Sequence, residues 1–232
     1  MKTKIFCDSA DLKVIKKLSK NKLIKGFTTN PSLMKLSGAK NYKNYSLKLL
    51  KASNNKPISF EVFADEFDLM INQANKIKTW GKNVYVKIPV VNTKGIFSGK
   101  VIRTLSQKKI KLNITAVYKV SQVKQILKNI NKNSKVIISI FAGRMGDAGK
   151  NPIPIIKESV NLTKRLKNVE ILWASTREAY NYMQAKQCGC SIITTPPQVI
   201  YKILKFGNSL EYLTLDTVKK FLIDSKKSNF KL

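Results

Sequence analysis

Histidine is absent from all 232 residues. That absence excludes histidine-based nucleophile triads, histidine-ligated zinc and imidazole acid–base catalysis together. Any proton transfer must use Asp, Glu, Lys, Tyr or water. Carboxylates are scarce as well, 13 against 44 basic residues. Cysteine occurs three times, and Cys188-Gly189-Cys190 lacks the two-residue spacer of a metal or redox pair. Reduced cytoplasmic thiols and no bound metal are therefore expected. No stretch approaches the ~18–20 apolar residues of a membrane span. Met1–Asp8 passes from charge to acid without the apolar core of a signal peptide, so a cytoplasmic protein is expected. No Gly/Ser/Pro-rich linker divides the chain, which reads as a single domain over residues 1–232.

The formal charge of +31 invites a nucleic-acid or other polyanion partner. Two features argue against that as the primary role. The basic residues are spread along the whole length instead of forming a stripe or tail. Only Arg103, Arg144, Arg165 and Arg177 are arginine, the better reader of bases and phosphates. Abundant Lys, Asn and Ile fit a bias towards A·T-rich codons.

Apolar runs recur at Lys4–Cys7, Leu23–Phe27, Ile58–Val62, Val84–Ile88, Lys111–Ile114, Val136–Phe141, Val169–Trp173 and Ser191–Ile193. Stretches of helical period lie between them, for example Phe67, Met70, Ile71, Ala74 and Ile77. Helix starts are expected at Asp8 or Ser9, at Asp65, and at Ser175 or Thr176. Eight β-α units whose strands are too apolar to alternate imply a covered parallel sheet, and eight close naturally as a (β/α)8 barrel. A doubly wound sheet is the alternative, but no glycine-rich dinucleotide fingerprint follows the first strand. Residues 211–228 form a surplus C-terminal helix with Leu213, Leu215, Val218, Phe221 and Leu222 on one side. It is expected either to pack on a neighbouring subunit or to close the barrel's own bottom, and the first is preferred.

Lys87 is the lysine out of place, inside Val84-Tyr85-Val86-Lys87-Ile88-Pro89. Desolvation there penalises the charged ammonium, and a neutral amine in an apolar slot can form a Schiff base with a carbonyl. The plain alternative is a lysine snorkelling to solvent from a strand end. A barrel's chemistry belongs at the carboxyl ends of its strands, and polar residues stand at those ends here. They are Asp8, Thr28 to Ser32, Glu61, Lys87, Asn113 with Thr115, Ser139 with Phe141 and Arg144, and Ser175 to Arg177. A carboxylate such as Glu61 within a buried strand costs several kcal/mol unless it is partnered. Ser175 and Thr176 are expected to open a helix whose N–H groups attract an anion.

The segments F-C-D-S-A-D, G-F-T-T-N-P-S-L, S-F-E-V-F, Y-V-K-I-P, L-N-I-T, I-F-A-G-R and W-A-S-T-R resemble, in order and over essentially the whole chain, the transaldolase family in its short-chain branch. The resemblance implies a (β/α)8 barrel that moves a dihydroxyacetone unit between sugar phosphates with no metal or cofactor. By position, Lys87 would form the Schiff base and Asp8 would serve as acid–base in carbon–carbon cleavage. Glu61 and Thr115 would hold the water that relays protons. Thr28, Asn30, Asn113, Ser139 and Phe141 would line the donor site, and Arg144, Ser175 and Arg177 would hold the phosphate. The branch also contains fructose-6-phosphate aldolases, in which Gln tends to replace Glu61 and Tyr to replace Phe141; both positions here carry the transaldolase choice. Met145–Lys150, expected to be a flexible glycine-rich loop, leaves open an acceptor that is a modified sugar. The branch further suggests a ring-like homo-oligomer, a pentamer or decamer.

Overall fold

Val and Ile are the commonest residues of the eight apolar runs because each run is covered on both faces. The structure, a computed structural model, describes residues 3–228. The strands are β1 (Lys4–Asp8), β2 (Ile24–Thr28), β3 (Ile58–Glu61), β4 (Val84–Pro89), β5 (Leu112–Val117), β6 (Val136–Ile140), β7 (Val169–Trp173) and β8 (Ile192–Thr195). All pair in parallel and in sequence order, and β8 returns to β1, so the sheet is a closed (β/α)8 barrel. Around it run α1 (Leu12–Ser19), α2 (Pro31–Leu36), α3 (Tyr42–Ala52), α4 (Phe67–Lys78), α5 (Gly99–Gln107) and α6 (Val120–Asn129). They are followed by α7 (Ala142–Asp147), α8 (Ile153–Thr163), α9 (Asn181–Gln187), α10 (Pro197–Ile203) and α11 (Leu210–Ser228). No helix among the described residues is long and apolar enough to cross a membrane.

The large core lies between strands and helices, where Ile15, Met34, Leu49, Met70, Ile102, Leu105 and Ile126 are fully covered. A second, smaller cluster of Phe6, Tyr85, Ile137, Leu172 and Ile192 fills the barrel itself. The ring of Phe6 lies where a Cβ on Gly26 would stand, 2.5 Å from its Cζ, so glycine in β2 makes room for the phenyl group. Two positions further along each of these strands the side chain returns to the same face. There the sequence changes character, from Phe6 to Asp8, Tyr85 to Lys87, Ile137 to Ser139 and Ile192 to Thr194, while Leu172 gives way only to the small Ala174. The apolar layer is thus a floor, and the polar layer above it faces the carboxyl-end mouth.

The three expected helix starts are corrected. α1 is capped by Asp11, whose carboxylate accepts from Val14 N, because Asp8 is still in strand and turned into the barrel. Asp65 caps nothing: it accepts from the backbone N–H and hydroxyl of Thr93, and Glu66 stands at the N-cap of α4 without a side-chain bond. Ser175 and Thr176 do not open a helix. Ser175 has φ +62°, in the left-handed region, and α9 begins only at Asn181. The segment after Arg144 is also not a loop throughout, since Ala142–Asp147 forms α7. α11 buries none of its residues on its own barrel, so it does not close the bottom.

Candidate active site

Lys87 is 8% exposed, and its amine points inward instead of snorkelling outward. The pairing of β3 with β4 sets Glu61 directly opposite Lys87, and their side chains meet at 3.1 Å between Oε2 and Nζ. The same amine donates to the carbonyl oxygen of Thr29 at 3.3 Å. Glu61 is itself fixed from outside the barrel. The Tyr42 hydroxyl, from α3, donates to Glu61 O at 2.7 Å and accepts from Glu61 N at 3.0 Å.

Across the mouth, Thr28 donates to Asp8 Oδ1 at 2.7 Å and lies 2.6 Å from the Thr194 hydroxyl. A threonine hydroxyl carries one proton. When Thr28 gives it to Asp8, Thr194 must donate to Thr28, which makes a directed chain ending on the carboxylate. Burial pushes the Asp8 carboxyl above the ordinary carboxylate range, while the nearby Lys87 ammonium and the Thr28 hydrogen bond pull it back down. Between these two acids the wall is polar. Ser139 donates to Asn113 Oδ1 at 2.7 Å and Asn113 Nδ2 donates to Ser59 Oγ at 3.0 Å, which fixes the orientation of the buried amide. Thr115 Oγ1 is buried with no hydrogen-bond partner among the described residues, at the lip of a bulge where Ala116 takes φ +59°. Asn30 caps α2 through its carbonyl oxygen, 2.8 Å from Leu33 N, so any ligand contact falls to its NH2 group.

These side chains line a cavity of about 320 Å³. Every residue to which the resemblance gives a role borders it except Glu61, which stands behind Lys87; Thr29, Pro31 and Ser32, at the end of β2, do not reach it. Sequence reasoning missed Thr194 and Pro196 in that wall, although Thr194-Thr195-Pro196 ends its strand much as Thr28-Thr29-Asn30-Pro31 ends β2. Tyr42 and Asp147 were also missed. Tyr42 fits its helix's apolar spacing and gives no other signal. Asp147 grips the Arg177 guanidinium through Nε at 3.0 and 3.1 Å and through a further contact from Nη2. That pairing holds the Asp147 carboxyl below its ordinary range, with a further contribution from Arg144, and raises Arg177. Gly143 permits this corner: a Cβ there would lie 1.5 Å from the Ser175 carbonyl oxygen.

The Transaldolase/Fructose-6-phosphate aldolase family model matches residues 5–232. The chain belongs to that family. A probable transaldolase from Thermoplasma volcanium is 33% identical over 227 residues, covering 97% of this chain and 96% of the relative. A probable transaldolase from Nitrosopumilus maritimus is 31% identical over 228 residues, covering 97% and 95%. Among solved structures, the chain resembles dihydrodipicolinate synthase from Rhodopseudomonas palustris with a TM-score of 0.57, 13% identity and coverage of 83% and 69%. It also resembles orotidine 5'-monophosphate decarboxylase from Metallosphaera sedula with a TM-score of 0.55, 14% identity and coverage of 85% and 89%. At such identities these two speak for the barrel alone. In this family member, then, the amine, the Asp8 carboxylate and the two arginines share one mouth, with Glu61 paired to the amine behind it.

Proposed function

We propose that the chain is a transaldolase working through a Schiff base on Lys87. It would transfer a dihydroxyacetone unit from fructose 6-phosphate or sedoheptulose 7-phosphate to an aldose phosphate, as in the cytoplasmic pentose phosphate pathway. The observation that carries this reading is the buried Lys87 amine 3.1 Å from Glu61, with Asp8 on the same cavity.

Glu61 takes a proton from the Lys87 ammonium and passes it to the donor's ketone oxygen as Nζ adds to the carbonyl carbon; a second proton follows the same route from nitrogen to oxygen, and water departs to leave a protonated imine. Thr115, with its unpaired hydroxyl, and Glu61 hold that water. The electron pair of the bond between the third and fourth sugar carbons then flows towards the imine. Asp8 takes the proton of the fourth-carbon hydroxyl, and the shorter aldose phosphate leaves. Desolvation of Asp8 suits it to this task, because a carboxylate raised above its ordinary range is the stronger base for taking up a proton. The three-carbon enamine adds to an acceptor aldehyde while Asp8 returns its proton, and water hydrolyses the new imine. Asn30, Asn113 and Ser139 would bind sugar hydroxyls, and Arg144, Ser175 and Arg177 the phosphate. Ser175 would do so from a loop and not from a helix end.

Phe141 favours transfer over simple cleavage. Its ring packs on Tyr118 at 5.9 Å between centroids and has no proton to give the enamine, so the bound unit persists until an acceptor arrives. α11 would complete the assembly. Leu213, Leu215, Val218, Phe221 and Leu222 are all at least 46% exposed, a face that fits a neighbouring copy in a homo-oligomeric ring. The test is turnover of fructose 6-phosphate with and without erythrose 4-phosphate. Glyceraldehyde 3-phosphate release that depends on the acceptor supports a transferase; equal release without it indicates an aldolase, and no turnover indicates that a different sugar is used.

A further inference from the structure

The barrel's opposite mouth is ringed by lysine. β1 opens on Lys4, and Lys25 is the second residue of β2. Lys56 stands two residues before β3, and Lys82 two before β4. Lys111 immediately precedes β5, Lys135 immediately precedes β6, and Lys167 stands two before β7. In a closed parallel barrel the starts of all strands meet at one end, so lysines scattered over the sequence converge there.

Four of the seven border a cavity of about 840 Å³, larger than the one at the catalytic mouth and within the usual range for small-molecule sites. Lys4, Lys25, Lys135 and Lys167 line it together with Lys132 and Arg165, above the buried face of Tyr85. Its one acidic lining residue is Glu170, already paired with Lys4. The lysines crowd one another. Lys111 sits 5.8 Å over the Tyr85 ring, and burial followed by the charge of Lys135 lowers its pKa. Lys56 is lowered in the same way by burial and then by Lys25. Like charges held this close are a cost that a polyvalent anion would relieve.

We propose that this mouth is a binding site for a compact oligophosphate, an inorganic chain or the triphosphate of a nucleotide, distinct from the sugar-phosphate site. A concave cavity of this volume suits a small polyanion better than a nucleic-acid helix, whose contacts would run along an open groove. The site lies across the apolar floor of Phe6, Tyr85 and Ile137 from Lys87, so occupancy leaves the catalytic mouth open.

The experiment is calorimetric titration with inorganic tripolyphosphate and, separately, ATP, at about 0.15 M ionic strength, where surface charges are screened beyond about 8 Å. A K25A/K135A/K167A variant is compared with a control carrying K13A/K219A/K226A and with Arg144→Ala. One saturable site per chain is expected, weakened about tenfold or more in the ring variant and unchanged in the other two. Equal binding of both ligands would place recognition in the phosphate chain, whereas tighter ATP would add the nucleoside; both support the site. Non-saturating uptake, equal loss in the control variant, loss with Arg144→Ala, or competition won by a short RNA with no site for tripolyphosphate would overturn it. Melting temperature and donor turnover, both expected to be retained, show that the ring variant is folded.

Discussion

Glu61 and Lys87 occupy the same register position on β3 and β4, and their side chains meet at 3.1 Å inside a barrel whose floor is apolar. Two charges in such a place cost several kcal/mol each to desolvate, and neither is tolerable without the other. The pair is therefore expected to serve chemistry more than stability.

Glu61→Gln removes the proton acceptor beside the amine while keeping its shape. Imine formation with fructose 6-phosphate is expected to slow by about 10²–10⁴-fold, measured as the rate of borohydride trapping in single turnovers. An unchanged trapping rate would assign that proton to another group.

Asp8→Asn should separate binding from cleavage. The imine still forms, so borohydride should trap the intact six-carbon donor instead of a three-carbon fragment, with turnover down by about 10²–10⁴-fold. The same variant tests the electrostatics. Burial raises the Asp8 carboxyl in the fold, so the folded protein holds that proton more tightly than the unfolded chain. Its contribution to stability is full below the ordinary carboxylate value and is lost as pH rises through the raised one. Asparagine escapes that loss, so Asp8→Asn should melt higher than the parent near neutrality, and the advantage should vanish in acid. A lower melting temperature at neutral pH would contradict the account.

Phe141→Tyr should raise release of dihydroxyacetone in the absence of an acceptor, read by coupled reduction. No change would show that this ring does not decide between transfer and cleavage.

Arg177 is held by Asp147 at the end of the cavity that Arg144 also lines, where the proposed function puts the phosphate. Freeing it with Asp147→Asn should lower the donor KM by up to about fivefold, the worth of an exposed ion pair, with kcat little altered. Arg177→Ala should raise KM. If neither variant moves KM, the phosphate is held elsewhere.

On α11, Phe221→Asp with Leu222→Asp places charge in the exposed apolar face, where each buried side chain would otherwise contribute about 1.5–3 kcal/mol. Sedimentation should show the proposed homo-oligomer of the parent and smaller species for the variant. A parent chain that sediments as a monomer would sink this part of the account.

The strands and the ring of polar residues at their ends were legible because burial on both faces leaves apolar runs, against which Glu61, Lys87 and Asn113 stand out. Helix starts were not. Asp8, Asp65 and Ser175 have cap-forming side chains, but each is claimed by something distant in sequence or by its backbone. Asp8 is taken by Thr28, Asp65 by Thr93, and Ser175 by its left-handed turn against Gly143. Tyr42 and Asp147 were invisible for a related reason. Their partners lie 19 and 30 residues away, and nothing local in the chain marks them. The lysines of the lower mouth stand one at the start of each of seven strands, β1 to β7, separated by whole helices, so they read as scattered charge until the barrel closes.

The most direct measurement is reduction with borohydride in the presence of fructose 6-phosphate, followed by peptide mass spectrometry. A three-carbon adduct on the peptide carrying Lys87, absent from Lys87→Met, is the expected result. An adduct on any other lysine, or none while the sugar is still cleaved, would contradict the central claim.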